Sequence, residues 1–357
     1  MVTISFPGQS IFSDVRARDH FGSSASTIRG RLRHTLVRST SDGGTMRFAV
    51  MGTGGAGGYF GARLAMAGHD VSFIARGAHL AAIRDVGLRV DSVLGDVVVA
   101  PAHATDDPRE LPVVDYVLLG VKAWQVEDAA RAIAPIVGPR TAVLPLQNGI
   151  EAPEQISDAL DRDHALGGTC RILSSIVAPG HIRHVGAEPV LEIGELDGRP
   201  SARVEGLLRA LSEARGVTAT IVPDIRVAMW QKFLFIASWG ALGAVTRAPL
   251  GVLRTQRETR SMLEAAMREI ERIARALSIR MPEAVVPSTL AFVDSLPAPA
   301  TASLQRDIAA GRPSEVESLC GAVTRYGIRT GVRTPTNTFL YHALLPLERR
   351  ARGQLEF

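Results

Sequence analysis

The glycine-rich segment GTGGAG at residues 52–57 constrains the fold of this chain more than any other feature. Residues 47–51 before it form a short apolar run of strand length, and apolar residues at helical spacing follow it as far as Gly68. Residues 70–75 then have the character of a second strand. The pattern predicts a βαβ unit with a GxGxxG motif at its first turn, which is the arrangement that binds dinucleotides.

Each glycine of the motif has a structural task in such a unit. Gly52 permits the tight turn, Gly54 lets the backbone approach a pyrophosphate, and Gly57 lets the helix pack closely on the strand. Backbone amides and the positive end of the helix dipole then bind the phosphates. The residues predicted to do so are Gly52, Thr53, Gly54, Gly55, Ala56 and Gly57. The alternative is a glycine-rich turn that binds no ligand.

The end of the second strand predicts which dinucleotide is bound. An acidic residue there would accept a hydrogen bond from the ribose 2′-hydroxyl of NAD, but the sequence at this point is Ala75-Arg76-Gly77. The planar guanidinium of Arg76 can pair with a 2′-phosphate, which favours NADP over NAD. Alternatively, Arg76 is an ordinary solvated loop cation.

Two further apolar runs, residues 115–121 and 141–146, have the near-continuous hydrophobicity of parallel strands covered on both faces. Lys122 follows the first run, and Asn148 lies just after the second. Because ligands bind outside the carboxyl ends of the strands in open parallel sheets, both side chains are predicted to lie on the same rim as the glycine motif. Each could instead be an ordinary cap or turn residue.

The remainder of the chain changes from strand-like to helical character after Pro223. The predicted elements are antiparallel strands within 165–196 that complete the sheet, a helix at 202–215, a last strand at 217–222, and helices at 225–245, 261–277, 313–326 and 337–350. We therefore predict an α/β fold with a Rossmann-type doubly wound sheet over residues 46–222 and an all-helical C-terminal domain over residues 223–357. A cleft between the two would be a natural place for ligands.

Two charged residues of the helical half are candidates for chemistry. Lys232 lies in the bulky apolar segment 229–236, where burial would lower the pKa of its ammonium and let it donate a proton to a carbonyl oxygen. Alternatively, its amine reaches water along the helix edge. Glu315 stands at a predicted helix start, where a carboxylate ordinarily interacts with the helix dipole.

The overall charge gives no support to nucleic-acid binding. The chain of 357 residues has 40 basic and 36 acidic residues, a net charge of +4, and residues 1–45 carry most of that excess. Cys170 and Cys320 lack the spacing of a metal or redox site. No apolar run is long enough to span a bilayer, and the N-terminus has no signal-peptide core. These features favour a cytoplasmic protein.

Residues 1–45 show no sustained periodicity and are rich in Ser, Arg and Gly. We predict that they form a disordered N-terminal extension. An upstream start codon chosen in error, with Met46 as the true first residue, is the alternative. A transit peptide is less favoured because acidic residues interrupt the segment at Asp14, Asp19 and Asp42.

Taken together, the motifs resemble those of the ketopantoate reductase (2-dehydropantoate 2-reductase) family. The matching segments are GTGGAG at 52–57, VKAWQ at 121–125, QNG at 147–149, WQK at 230–232, SLQRDI at 303–308 and SE at 314–315. They agree in order and spacing from Met46 to about Leu345. The resemblance implies a 6-phosphogluconate dehydrogenase-like fold and the NADPH-dependent reduction of 2-dehydropantoate to pantoate, in pantothenate and coenzyme A biosynthesis.

The resemblance also implies roles for individual residues. Beside the glycine loop, the implied cofactor-binding residues are Arg76, Lys122, Asn148 and Glu315. Lys232 matches the catalytic lysine of the family and Glu315 a second catalytic residue near the nicotinamide. The implied substrate-binding residues are Asn148, Lys232 and Ser303.

The substrate half of the site departs from the family pattern. Asparagines commonly stand four and eight residues after the catalytic lysine, where this chain has Ile236 and Gly240, and a further asparagine position corresponds to Leu250. A site that loses such amides loses hydrogen bonds to substrate hydroxyls. There are therefore two alternatives: a reductase of another 2-keto acid or ketone, and a non-catalytic NADP-binding regulatory protein. The expected partners are a small 2-keto acid and, as a further prediction, a second copy of the chain in a homodimer.

Overall fold

The computed structural model of the chain describes residues 44–160 and 162–357. The predicted N-terminal extension therefore lies outside the described residues, apart from its last two positions. The strands are β1 (Arg47–Met51), β2 (Asp70–Ile74), β3 (Leu88–Ser92), β4 (Val97–Val99), β5 (His103–Thr105), β6 (Val114–Leu119), β7 (Val137–Pro145), β8 (Gly167–Arg171), β9 (Ser174–Ala178), β10 (His181–His184), β11 (Val190–Gly194) and β12 (Thr218–Ile221).

Twelve α-helices accompany these strands in the described part of the chain. They are α1 (Gly55–Met66), α2 (Gly77–Val86), α3 (Val126–Ala132), α4 (Ala152–Ala159), α5 (Ala202–Glu213), α6 (Ile225–Thr246), α7 (Leu250–Thr255), α8 (Arg257–Ala276), α9 (Val285–Ser295), α10 (Ser303–Ala309), α11 (Ala322–Thr330) and α12 (Pro335–Ala351). None of the helices in residues 44–160 and 162–357 combines the length and apolar character needed to cross a bilayer.

A five-stranded sheet forms the centre of the N-terminal half. Its strand order is β5-β2-β1-β6-β7, and every neighbouring pair is parallel. The strands β1, β2 and β6 are buried along almost their whole length, as continuous apolar runs predict. The predicted Rossmann-type sheet is confirmed, and the order places the carboxyl end of β1 between those of β2 and β6.

Close packing of α1 on β1 depends on the last glycine of the motif. A Cβ atom at Gly57 would lie 2.3 Å from the Gly52 carbonyl oxygen and 3.1 Å from a methyl group of Val50. Gly52 itself has a φ of +92°, which L side chains rarely adopt, and this conformation turns the chain from strand to helix. The βαβ unit therefore forms as the motif predicts.

The antiparallel strands predicted within 165–196 do not complete the main sheet, and this expectation was wrong. They belong to a four-stranded sheet of order β4-β3-β10-β9 and a three-stranded sheet of order β12-β11-β8. Strand β10 pairs in parallel with β3, about 90 residues earlier in the chain, and the isolated bridge from Val143 of β7 goes to Ala165, which precedes β8. Apolar alternation predicts that these segments are strands, but it carries no information about which partners they choose.

The C-terminal half is helical throughout, as predicted. Helix α6 lies at its centre and buries Phe233, Leu234 and Leu242 among side chains from α8, α10 and α12. The helix predicted from residue 313 starts later, because helical conformation begins at Val316 and continues through a π-helical turn at Glu317–Gly321. Glu315 therefore precedes this helix and does not belong to its first turn.

Candidate active site

A cavity of about 670 Å³ lies along the carboxyl ends of the parallel strands and is closed on its far side by residues of β8, β9 and α10. This volume is typical of cavities that enclose small ligands. Among the predicted site residues, those that line it are Gly52, Thr53, Gly54, Gly55, Ala56, Arg76, Lys122, Asn148, Ser303 and Glu315. Gly57 is buried beneath the loop, where it fulfils its predicted packing role. Residues from both halves of the chain thus meet at one cavity.

The glycine loop leaves room beside the start of α1 for a phosphate-containing ligand. Gly54 caps the helix in extended conformation, and a Cβ atom there would meet nothing closer than the Gly120 carbonyl oxygen at 4.0 Å. The first turn of α1 contains no acidic residue, so the positive end of the helix dipole is not neutralised locally. These features fit a pyrophosphate at the N-terminus of α1.

His79 stabilises the glycine loop through hydrogen bonds, and the sequence patterns did not predict this role. Its Nε2 lies 2.8 Å from the Thr53 carbonyl oxygen, and its Nδ1 accepts a hydrogen bond of 3.0 Å from the Gly180 backbone amide. Because Nδ1 is the acceptor, Nε2 carries the hydrogen and donates it to Thr53. The Thr53 hydroxyl in turn donates to the Ile74 carbonyl oxygen at 3.1 Å. His79 lies three residues after Arg76, and that position in the first turn of α2 is the only local signal for its role.

Two exposed cations stand on the rim of the cavity. Arg76 caps the N-terminus of α2 at the end of β2, and its guanidinium makes no hydrogen bond or ion pair with the described residues. Lys122 caps the short helical turn Ala123–Gln125, and its Nζ lies 6.0 Å from the centre of the Trp124 ring. Both side chains are therefore available to anionic groups of a ligand.

Asn148 and Glu315 form a direct hydrogen bond across the cavity. Nδ2 of Asn148 donates to Oε2 of Glu315 at 3.1 Å, which joins the end of β7 to the segment before the π-helical turn. Burial raises the pKa of Glu315, while the Asn148 hydrogen bond and the nearby ammonium groups of Lys122 and Lys232 oppose that rise. A carboxylate in this position is poised to interact with polar groups of a ligand.

Lys232 reaches from α6 to the wall of the cavity. Its Nζ donates a hydrogen bond of 2.6 Å to the carbonyl oxygen of Cys170, a residue that lines the cavity. Burial lowers the pKa of Lys232, and the negative charges of Glu315 and Glu192 oppose this effect. The predicted alternative, a lysine that extends along the helix edge into water, does not apply to this orientation. The Lys232 ammonium is therefore held in place by a hydrogen bond, while burial destabilises its positive charge.

The positions that depart from the family pattern lie in different surroundings. Ile236 is half-buried one turn after Lys232 on the same face of α6. A Cβ atom at Gly240 would touch Leu304 at 3.4 Å, next to Ser303 at the start of α10. Leu250 is fully buried in the helical core. The interpretation of Leu250 as a substrate-facing position is therefore wrong, because its side chain packs among helices away from the cavity.

The sequence model described as "Ketopantoate reductase PanE/ApbA" matches residues 48–198, and its C-terminal counterpart matches residues 224–348. A 2-dehydropantoate 2-reductase of Mesorhizobium japonicum is 33% identical over 326 residues, covering 85% of this chain and 97% of the relative. A 2-dehydropantoate 2-reductase of Nostoc sp. is 29% identical over 314 residues, covering 87% and 98%.

Solved structures agree with the sequence comparison. The crystal structure of 2-dehydropantoate 2-reductase from Methylococcus capsulatus superposes with a TM-score of 0.78 at 31% identity. The match covers 86% of this chain and 98% of that chain. Both halves of the fold are therefore shared with these proteins, in the order and extent that the sequence motifs indicate. The chain belongs to the ketopantoate reductase family of oxidoreductases that act on CH–OH groups.

Proposed function

We propose that the protein reduces 2-dehydropantoate to pantoate with NADPH as the cofactor. The observation that carries this proposal is the grouping of three features around one cavity. The glycine loop at the start of α1 and the Asn148–Glu315 hydrogen bond line it, and the Lys232 ammonium is anchored to Cys170 in its wall. The relatives named 2-dehydropantoate 2-reductase support the same activity.

The cofactor site would be built by residues of the sheet-containing domain, which we propose spans residues 46–222. The backbone amides at the start of α1 would hold the pyrophosphate, and Arg76 would pair with the 2′-phosphate, since β2 ends without an acidic residue. Lys122, Asn148 and Glu315 would contact the nicotinamide side, because they lie toward β6 and β7. NADPH supplies a hydride to the carbonyl carbon of the substrate when it is bound.

The proton for the resulting alkoxide would come from Lys232. Reduction of a ketone to an alcohol needs one hydride at carbon and one proton at oxygen, and the lowered pKa of Lys232 makes its ammonium a stronger acid than an exposed lysine. The Cys170 carbonyl holds Nζ in place while two of its three hydrogens remain free to donate. Glu315 would favour the charged form of Lys232, and the Asn148 amide would keep the Glu315 carboxylate in position.

The substrate would lie between the two halves of the chain. The helical domain, which we propose spans residues 223–357, would provide most of the groups that bind it. Ser303 lines the cavity at the start of α10, where its hydroxyl can donate to a carboxylate or hydroxyl of the keto acid. Exclusion of water from the occupied cleft would strengthen the interactions among Lys232, Glu315 and the substrate.

A steady-state assay of the purified full chain with NADPH and 2-dehydropantoate tests the proposal. The Lys232→Ala variant should lose a factor on the order of 10²–10⁴ in kcat, the usual contribution of a general acid. Its Kd for NADPH, measured by fluorescence titration, should change little, because the glycine loop is untouched. Unchanged turnover in Lys232→Ala would contradict the assigned role, and wild-type protein that binds NADPH but reduces no keto acid would favour a regulatory protein.

Reduction of another 2-keto acid is the second candidate, and Ile236 favours it. Where a hydroxylated substrate would use an amide, α6 presents an apolar side chain one turn from Lys232. A panel of 2-keto acids with hydroxylated and purely alkyl side chains, assayed by NADPH consumption, separates the two candidates. The comparison rests on kcat/KM, since that ratio measures discrimination between substrates.

A further inference from the structure

A buried carboxylate outside the cavity holds the residue that precedes Glu315. Glu348 of α12 is almost completely buried, and the backbone amide of Ser314 donates to both of its oxygens, at 3.1 and 3.0 Å. The Ser314 hydroxyl also donates to Oε2 of Glu348. Three hydrogen bonds thus fix one residue of the chain at the point where it enters the active-site segment.

Arg352 completes this arrangement and extends it toward the other domain. Its Nε donates to Oε1 of Glu348 at 2.6 Å, and its Nη2 donates to the Ser314 carbonyl oxygen at 3.2 Å. The same guanidinium stacks over the ring of Trp124, with 4.4 Å between Cζ and the ring centre. Trp124 belongs to the helical turn that Lys122 begins, on the sheet side of the cleft.

We propose that Glu348 and Arg352 are positioning residues for Glu315, and that their stacking on Trp124 fixes Glu315 relative to the Lys122 turn across the cleft. This inference rests on the proposed function, since it gives Glu315 and Lys122 their roles. The chain of contacts from Ser314 through Glu348 and Arg352 to Trp124 begins and ends next to the site. Ser314 directly precedes Glu315, and Trp124 is two residues after Lys122.

The energetics favour a positioning role over a purely stabilising one. Burying a carboxylate and a guanidinium costs solvation free energy that their mutual attraction only partly offsets, so such pairs are often replaceable by apolar residues without loss of stability. Hydrogen bonds to a charged group are, however, short and directional, and they restrict the backbone they touch. A backbone held in this way limits how far the Glu315 carboxylate can move from Asn148.

The chain contains a matched control for this test. Glu269 of α8 is equally buried and accepts hydrogen bonds of 2.9 Å from the backbone amides of Thr336 and Asn337. It therefore holds the N-terminus of α12 much as Glu348 holds Ser314, but the residues it binds are not next to a residue that lines the cavity. The Glu269→Gln and Glu348→Gln variants remove comparable buried charges from the same helical domain.

The decisive experiment measures kcat for Glu348→Gln in the wild-type and in the Glu315→Gln background. If Glu348 acts through Glu315, the substitution should lower kcat about tenfold or more in the wild type and less than about threefold when Glu315 is already replaced. Glu269→Gln should lower Tm without changing kcat. Equal effects of Glu348→Gln in both backgrounds, or an equal loss of kcat in Glu269→Gln, would overturn the proposal.

Two further measurements do not depend on turnover by a fully folded Glu348 variant. Arg352→Met removes the cation that stacks on Trp124 but leaves Trp124 beside Lys122. If the stacking fixes the Lys122 turn, the Kd for NADPH, measured by fluorescence titration, should rise about threefold to tenfold. Ser314→Ala removes one hydrogen bond to Glu348 and should lower kcat in the wild type but not in the Glu315→Gln background. An unchanged Kd in Arg352→Met, or an equal loss of kcat for Ser314→Ala in both backgrounds, would overturn the proposal. Wild-type protein without reductase activity would instead refute the proposed function, and the Kd measurement would still test whether Arg352 fixes the Lys122 turn.

Discussion

Lys232 donates a hydrogen bond to the carbonyl oxygen of Cys170 at 2.6 Å, and this contact joins helix α6 to strand β8 at the wall of the cavity. The carbonyl group is uncharged, so it anchors the amine without supplying a counter-charge that would hold the proton tightly. Of the two carboxylates that raise the pKa of Lys232, Glu315 has the larger effect, although it forms no direct ion pair with Lys232 among the described residues. The pair is therefore arranged so that each residue shifts the protonation of the other.

We expect a plot of kcat/KM against pH to be bell-shaped. The bell should be narrower than the one that lysine and glutamate side chains with unshifted pKa values would give. Lys232 must be protonated to act as the acid, and burial lowers its pKa from 10.5, so activity should fall with rising pH below that value. Glu315 must be ionised to favour the ammonium, and burial raises its pKa from 4.5, so activity should fall with decreasing pH above that value. Initial-rate measurements between about pH 4.5 and 10.5 give both limbs.

The same measurements on variants assign the limbs. Because the two groups interact, the apparent pKa values belong to the pair, and each limb is identified by its loss. Glu315→Gln should remove the acidic limb, and Lys232→Arg should remove the basic limb because a guanidinium does not titrate in this range. An acidic limb that persists unchanged in Glu315→Gln would show that another group controls it.

Two glycine substitutions in the loop should both weaken NADPH binding but differ in their effect on stability. Gly54→Ala adds a Cβ atom into open space at a φ of −79°, so Tm should stay within a few degrees while the Kd for NADPH rises at least tenfold. Gly57→Ala places a Cβ atom 2.3 Å from the Gly52 carbonyl oxygen and should lower Tm markedly as well. Thermal unfolding with and without NADPH checks both, and unaltered NADPH affinity in Gly54→Ala would argue against a pyrophosphate at the start of α1.

We expect the wild type to prefer NADPH over NADH, and Arg76→Gln to weaken that preference. A charge-assisted hydrogen bond to a phosphate contributes about 1.5–3 kcal/mol, so kcat/KM with NADPH should fall roughly 10–100-fold. NADH lacks the 2′-phosphate, and its kcat/KM should change less than about threefold. Arg84→Gln, which removes an exposed arginine of the same helix, is the matched control. An equal loss with both cofactors would mean that Arg76 does not contact the phosphate.

Local patterns predicted the first βαβ unit and the rim of the sheet, because both depend on neighbours in sequence. The glycine motif, Lys122 and Asn148 lie on one edge since parallel strands bring their carboxyl ends together. Contacts between distant segments left no such signal. The hydrogen bond between His79 and Gly180 joins residues about 100 positions apart, and the hydrogen bonds between Glu348 and Ser314 span 34 residues.

The side chain of Ile236 on α6 is placed to determine which keto acid is the better substrate. Ile236→Asn would restore an amide one turn from Lys232, where a hydroxylated keto acid needs a hydrogen-bond partner, and Ile236→Leu is the matched apolar control. We expect Ile236→Asn to raise kcat/KM for 2-dehydropantoate about tenfold relative to its hydroxyl-free analogue 3,3-dimethyl-2-oxobutanoate, the scale of one hydrogen bond. The measurement is the ratio of the two kcat/KM values in each variant. The same ratio in wild type, Ile236→Leu and Ile236→Asn would place the substrate hydroxyl away from α6. A wild-type ratio that already strongly favours 2-dehydropantoate would show that other groups, such as Ser303, bind this hydroxyl.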